Sequence, residues 1–412
     1  MVVPRGARPL LATALATAVA LIPAGSADAR TGRASAAEHG WVGTWEAAAS
    51  GTVDALPGYS IRNVVHADVG GPAVRVRVSN RLGTAPLTLG EVTVAVQQTG
   101  SPKSPEAVAG TMREVTFRHA GSVTVPAGAD AVSDPVPLRV PTGGNLLVTL
   151  YTPTASGPAT FHHSALQTSF LASGGDHAAE PAGTAYTTST GYWYYLTGVD
   201  VFRPQVRGDV VALGDSITDG SGSTSNANRR WPDDLAARLN ALPPSRRFGM
   251  LNAGIAGNRL LLDDTGPNAL SRLDEDVFSR SGVRALIVLE GINDIKNDPP
   301  QTDPARIEDA YRRIVHRAHA HGIRVIGGTI TPFGGHGGYT DELEAVRQAV
   351  NAFVRTSGLF DGVADFDAAV RDPADPHQVL LAYDHGDHLH MNDAGYRAMA
   401  DAVDLADLGG RP

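Results

Sequence analysis

Ser216 lies in "VVALGDSITDGSGS", residues 210 to 223, behind four apolar residues and a Gly-Asp pair. A serine hydroxyl is a weak nucleophile until an imidazole accepts its proton, and that imidazole needs a carboxylate on its other nitrogen. A second stretch, "YDHGDHLHMNDAGY" (383 to 396), holds Asp387 and His390 three residues apart, a spacing that on a helical turn puts both side chains on one side. Two further segments carry polar residues after short apolar runs: "AGNRL", with Gly257 and Asn258, and "GINDI", with Asn293 and Asp294. Gly-Asp-Ser is also ordinary turn chemistry, so Ser216 taken alone stays open between nucleophile and turn residue.

The elements that would position these residues follow from periodicity. Val210 to Leu213 form an uncharged apolar run that opens with two β-branched valines and is ended by Gly214, the pattern of a short strand buried on both faces, which sets Ser216 at a strand's carboxyl end. "RALIVLE" (284 to 290) and "IRVIGGTI" (323 to 330) read as further strands. "DPARIEDAYRRIVHRAHAHG" places Ile307, Ala310, Tyr311, Ile314, Val315 and Ala318 on one helical stripe, with Gly322 as its carboxyl-terminal cap. "LEAVRQAVNAFV" (343 to 354) repeats the spacing with Leu343, Val346, Val350 and Phe353. Strands alternating with helices predict an α/β domain with a parallel sheet covered on both faces, whose ligands bind on the loops after the strands.

Upstream, from Trp41 to about Phe202, the chain has another period. "AVRVRVSN" (73 to 80), "LTLGEVTVAV" (87 to 96), "SVTVPAG" (122 to 128) and "NLLVTLYT" (145 to 152) alternate apolar and polar residues, as half-buried antiparallel strands require. This part reads as an all-β sandwich, jelly-roll-like, and the pattern changes at Arg203-Pro204. The expected division is a signal peptide at 1–29, a linker at 30–40, a β-sandwich domain at 41–203 and a catalytic domain at 204–412.

The four polar stretches, in this order, resemble the blocks of the SGNH or GDSL hydrolase family, which supply a Ser, a Gly, an Asn and a His. The resemblance covers residues 210 to 396 and implies a flavodoxin-like three-layer αβα domain. It implies Ser216 as nucleophile, Gly257 and Asn293 as oxyanion-hole donors with the Ser216 N–H, and His390 as base oriented by Asp387. Two departures lie outside the chemistry: the first block reads Gly-Asp-Ser-Ile, and Met391 stands where a proline often follows the histidine. The physical requirements agree, since a tetrahedral oxyanion needs donors aimed at it and a glycine lets backbone approach closely.

Other residues compete for these roles. His377, His385 and His388 are further histidines of the last segment, and Asp384, His385, Asp387 and His388 crowd together, but without the two-histidine helix and glutamate base of a metalloprotease. His385 and His388 read as loop residues at the site mouth, and His316, His319 and His321 as polar-face residues of a helix. His162 and His163 read as satisfied structural histidines, and Trp41, Trp45, Trp193 and Trp231 as core. The α/β-hydrolase elbow G-x-S-x-G is not met, since Thr218 occupies its last position.

Composition bounds the function. The chain has 412 residues, 42% of them hydrophobic, no cysteine and a net charge of -9. Thiol catalysis is excluded, and an acidic chain without a basic run argues against nucleic acid. Arg5 and Arg8 precede an apolar run from Pro9 to Gly25 and then Ala27-Asp28-Ala29, a secretory signal peptide with Ala34-Ser35-Ala36 as a second cleavage site. The expectation is an extracellular, monomeric serine ester hydrolase with no cofactor, no metal and no integral membrane segment after cleavage. Its resemblance within the family is to two-domain secreted actinobacterial lipases and lysophospholipase-like esterases. A carbohydrate O-acetylesterase is the alternative, and a non-catalytic binding protein ranks behind both; the partner is a small-molecule, lipid or glycan ester.

Overall fold

The computed structural model describes residues 1–2, 40–98, 100 and 103–409. The signal peptide beyond Val2 and all but Gly40 of the linker lie outside the described residues.

From Gly208 the chain builds a parallel sheet of five strands: β1 (Gly208–Gly214), β2 (Phe248–Gly254), β3 (Val283–Leu289), β4 (Arg324–Gly328) and β5 (Gly362–Ala364). Their order is β2-β1-β3-β4-β5, the flavodoxin-like winding. Its topological switch point lies between β1 and β3, where a crevice opens beyond the strand ends. Every residue of β1 is buried because it has a parallel partner on each edge and helices over its faces.

The helices are α1 (Ser216–Asp219), α2 (Trp231–Asn240), α3 (Ile292–Lys296), α4 (Pro304–Ala320), α5 (Asp341–Thr356), α6 (Phe366–Val370), α7 (Asp393–Asp401) and α8 (Leu405–Gly409). Two pairs, α2 with α7 and α4 with α5, pack side by side. The α4 stripe from Ile307 to Ala318 is buried as its spacing predicts, and Gly322, at φ +70, ends the helix with its N–H on the His319 carbonyl. In α5 the buried stripe ends on Val354, whereas Phe353 is half-buried under the Arg312 guanidinium of α4, 4.7 Å from its ring centre.

Residues 41 to 202 form antiparallel sheets, with no helix among the described residues there. One sheet joins Trp41–Glu46, Leu196–Phe202, Gly71–Ser79 and Val136–Val140; a larger one centres on Tyr59–Ala67, Gly144–Thr152 and Glu91–Val96. Trp45, Ile61, Val76, Val92, Leu146, Val148 and Val199 belong to their shared apolar cluster. The half-buried alternation expected from the sequence is corrected for the central strands. Tyr59–Ala67 and Gly144–Thr152 are buried on both faces, because Val64 and Leu147 gather in a further cluster with Phe170 and Tyr186. Arg62 is wholly buried there, its guanidinium 3.8 Å from the Tyr186 ring centre and donating to the Pro105 and Glu180 carbonyls. "LTLGEVTVAV" also breaks at Gly90 into Leu87–Leu89 and Glu91–Val96.

Strand Trp41–Glu46 lies against β2, and buried polar groups join the two halves. The Gly43 N–H donates to Asp209 at 2.5 Å, and Arg280 pairs with Glu46 at 2.7 Å, both side chains inaccessible to within a few per cent.

Candidate active site

The first polar loop starts where β1 must stop. A Cβ on Gly214 would lie 2.1 Å from Thr218 Oγ1 and 2.7 Å from the Leu289 carbonyl, so only glycine lets the chain turn this tightly between β3 and α1. Asp215 then caps α1, accepting the Ile217 N–H at 2.9 Å. Ser216 is the first helical residue, a position whose N–H has no partner inside a helix, and it is 7% exposed at the β1/β3 crevice.

The last segment delivers a histidine to it. His390 Nδ1 lies 2.6 Å from Asp387 Oδ2 and His390 Nε2 2.8 Å from Ser216 Oγ. A carboxylate only accepts, so Nδ1 carries the proton and neutral Nε2 is the acceptor for the serine hydroxyl. The helical turn expected over Asp387–His390 is corrected: the segment is bends, set by aspartates that bond to nearby backbone. Asp387 Oδ1 accepts the N–H groups of Leu389 and His390, and Asp384 Oδ1 those of Gly386 and His388. His388, at φ +62, pairs with Asp384 Oδ2 at 2.8 Å.

The middle two blocks meet across the crevice. Gly257 sits at φ +83, and a Cβ there would stand 2.9 Å from Thr265 Oγ1, so both backbone and space demand glycine. Asn258 anchors this turn by donating to the Thr265 and Pro267 carbonyls, each at 2.9 Å. From α3, Asn293 Nδ2 donates to the Asn258 carbonyl at 2.9 Å, and Asp294 accepts the N–H groups of Leu260 at 2.6 Å and Leu261 at 2.9 Å. Buried Arg272 ties the assembly to the sheet, donating to Asn258 Oδ1, to the Ala253 carbonyl of β2 and to the Gly214 carbonyl of β1.

Residues 212–398 match the model of the GDSL-like lipase/acylhydrolase family. This part of the chain is a GDSL-like lipase/acylhydrolase domain. The enzyme class is accordingly serine ester hydrolase. A search of curated protein sequences found no match. Among solved structures, a lipolytic protein of the G-D-S-L family from Desulfitobacterium hafniense is 20% identical, with 47% of this chain and 96% of that chain covered at a TM-score of 0.38. An acetyl xylan esterase is 21% identical, with 47% and 96% covered at 0.37. Est24, a carbohydrate acetylesterase from Sinorhizobium meliloti, is 18% identical, with 47% and 95% covered at 0.35.

The electrostatics of the GDSL domain separate its carboxylates. Burial works against the Asp387 charge, but the His390 ring, two backbone N–H groups and the imidazole's charge hold it down at about 2. Asp215 is driven the other way, to about 7, first by complete burial and then by Asp294 and Asp219, against the Ile217 N–H and Lys296. Burial pulls Lys296 below the usual ammonium range in spite of Asp215 and Asp387.

The remaining histidines and tryptophans find other partners. His319 pairs with Asp361 at 2.8 Å, His321 stacks on Phe278, and His377 meets Glu344 at 3.0 Å. All four tryptophans are buried. His162 is satisfied, as a core histidine should be, but one of its partners is Asp219, the last residue of α1. Sequence reading missed Arg272 and the His162–Asp219 contact. Asp294 sits beside Asn293 in the third block, which was the one available signal for its part in the turn.

Proposed function

We propose that the protein is a secreted carboxylic ester hydrolase of the lipase or lysophospholipase-like esterase kind, its catalytic domain beginning near residue 204 and its mature chain following the signal peptide. The observation that carries this reading is the Asp387–His390–Ser216 chain at 2.6 and 2.8 Å. His390 Nε2 takes the Ser216 proton as Oγ attacks the ester carbonyl, and Asp387 stabilises the resulting imidazolium. The tetrahedral oxyanion is met by the N–H groups of Ser216 and Gly257 and the free N–H of the Asn293 amide, each such donor being worth about 3 kcal/mol. His390 then protonates the leaving alcohol, giving the acyl-serine. Water, deprotonated by the same imidazole, attacks that ester, and the proton returns to Ser216 as the acid departs.

A fluorophosphonate should label Ser216 alone, and Ser216→Ala should abolish hydrolysis while the fold survives, because the change removes one oxygen and no core volume. Labelling at another serine rejects the reading. An ester series from acetyl to palmitoyl tests the substrate class: activity confined to acetyl groups on polysaccharide would assign a carbohydrate O-acetylesterase instead.

A further inference from the structure

His162 ends the strand Ala159–His162 of the β half and is 3% exposed. Its Nδ1 is 2.8 Å from the Ala48 carbonyl and its Nε2 3.1 Å from Asp219 Oδ1. Carbonyl and carboxylate oxygens only accept, so both ring nitrogens must carry protons and the side chain is an imidazolium. The other oxygen of the same carboxylate, Asp219 Oδ2, accepts the N–H of Ala256 at 2.9 Å, one residue before Gly257. Asp219 is fixed at the end of the helix that begins with Ser216.

We propose that His162 is a positioning residue for the oxyanion hole: the imidazolium holds Asp219, and Asp219 holds the Ala256–Gly257 turn in register with Ser216. The β half is then part of the catalytic assembly. This rests on the reading of Gly257 N–H as an oxyanion donor.

A second buried line runs between the same two places. Glu46 of the β half pairs with Arg280 at 2.7 Å, Arg280 meets Asp276 at 3.5 Å, Asp276 meets Arg272 at 3.0 Å, and Arg272 holds Asn258 Oδ1 at 3.1 Å. Both lines end on the loop that follows β2. A loop is the softest part of an α/β site, and a displacement of about 1 Å at a reacting group costs on the order of 10²-fold in rate. Clamping it from a neighbouring sheet is what that sensitivity calls for.

The charges around His162 set its pH behaviour. Burial pulls its pKa down, but the Asp219 charge and the hydrogen bonds to Asp219 and Ala48 outweigh it, and with Arg230 opposing, the result lies above the ordinary imidazole value. His163 is its neighbour in sequence and stacks near it, and Glu46, His66, Asp68 and Asp233 line the same small cavity. The second proton is therefore held to higher pH than on an ordinary imidazole and is lost as pH rises through the raised pKa, which releases Asp219.

The test compares His162→Gln and Asp219→Asn with wild type as full chains, turnover being expressed per serine titrated by fluorophosphonate so that unfolded protein does not count. On a short-chain nitrophenyl ester, kcat should fall about 10- to 100-fold in each variant with KM changed less than about threefold. The double variant should be little worse than the worse single. Wild-type kcat should fall on the alkaline side, and that limb should vanish in both variants while the acid limb stays. Unchanged kcat per titrated serine with an unchanged alkaline limb overturns the proposal. If the variants do not fold, a wild-type kcat with no alkaline limb overturns it equally. Asn293→Ala run alongside separates the two levels: normal turnover there removes the oxyanion-hole reading itself, whereas slow turnover there with an unaffected His162→Gln removes only the role of His162.

Discussion

The Asn293 side-chain amide donates one N–H to the backbone carbonyl of Asn258 at 2.9 Å, so its orientation is set by the loop it faces. Two N–H bonds on one planar group fix each other's direction, and the second is left for a ligand. Asn293→Ala should lower kcat about 10²- to 10³-fold with little change in KM, as the proposed role of a donor to the developing oxyanion requires. Steady-state kinetics on a soluble ester measure this.

The Asp387–His390–Ser216 chain behaves as one unit if it transfers a proton. His390→Ala should cost on the order of 10⁴-fold in kcat, Asp387→Asn somewhat less, and the double variant little more than the worse single. His388 is bonded to Asp384, whereas the histidine bonded to Ser216 is His390. His388→Ala should therefore act mainly on KM. Asp387, held at about 2, stays ionised at pH values well above that, so an acid loss of activity there must come from another group.

Asp215 gives stability a slope with pH. Its folded pKa, raised to about 7 by burial, exceeds the unfolded value near 3.8, so the native state holds the extra proton in between. That contribution is fully present below the unfolded pKa and is lost as pH rises through about 7. Denaturant melts should show stability falling by on the order of 2–4 kcal/mol from about pH 4 to 8 from this group. Asp215→Asn, which keeps an acceptor for the Ile217 N–H, should flatten that slope.

A chain beginning at Pro204 should be insoluble or inactive. It would expose the β2 surface covered by Trp41–Glu46 and strand Asp209, Asp219 and Arg280 without Gly43, His162 and Glu46. Removing one member of a buried pair costs about 3–5 kcal/mol. Within the full chain, Glu46→Ala should destabilise by a similar amount, read from chemical denaturation. A soluble Pro204 chain with wild-type turnover would refute this and the role assigned to His162 together.

How much of this was legible depends on how local each feature is. The parallel strands at 210–213, 284–290 and 323–330, the α4 stripe with its Gly322 cap, and the change of period near Arg203-Pro204 show in the sequence, because apolar spacing and turn residues act within a few positions of themselves, whereas the three-residue edge strand Gly362–Ala364 is too short to leave a period. Three of the four polar blocks were visible for the same reason, each following an apolar run whose end determines where the loop begins, and the fourth through the three-residue spacing of Asp387 and His390. The both-face burial of Tyr59–Ala67 was not, since what covers its outer face, Phe170 and Tyr186, comes from more than a hundred residues later.

The sequence by itself determined which residue types stand at the strand ends and in what order. Only the tertiary structure decided who holds them. Asp387 orients His390 through bonds to backbone N–H groups in a run of bends, where spacing alone suggested a helical turn. His162 reaches Asp219 across 57 residues, and Glu46 reaches Arg280 from the other half of the chain. A buried charge must find its opposite to leave water, but any Asp or Glu satisfies that need. Which one does is settled by how two sheets approach, and that geometry has no periodicity to read.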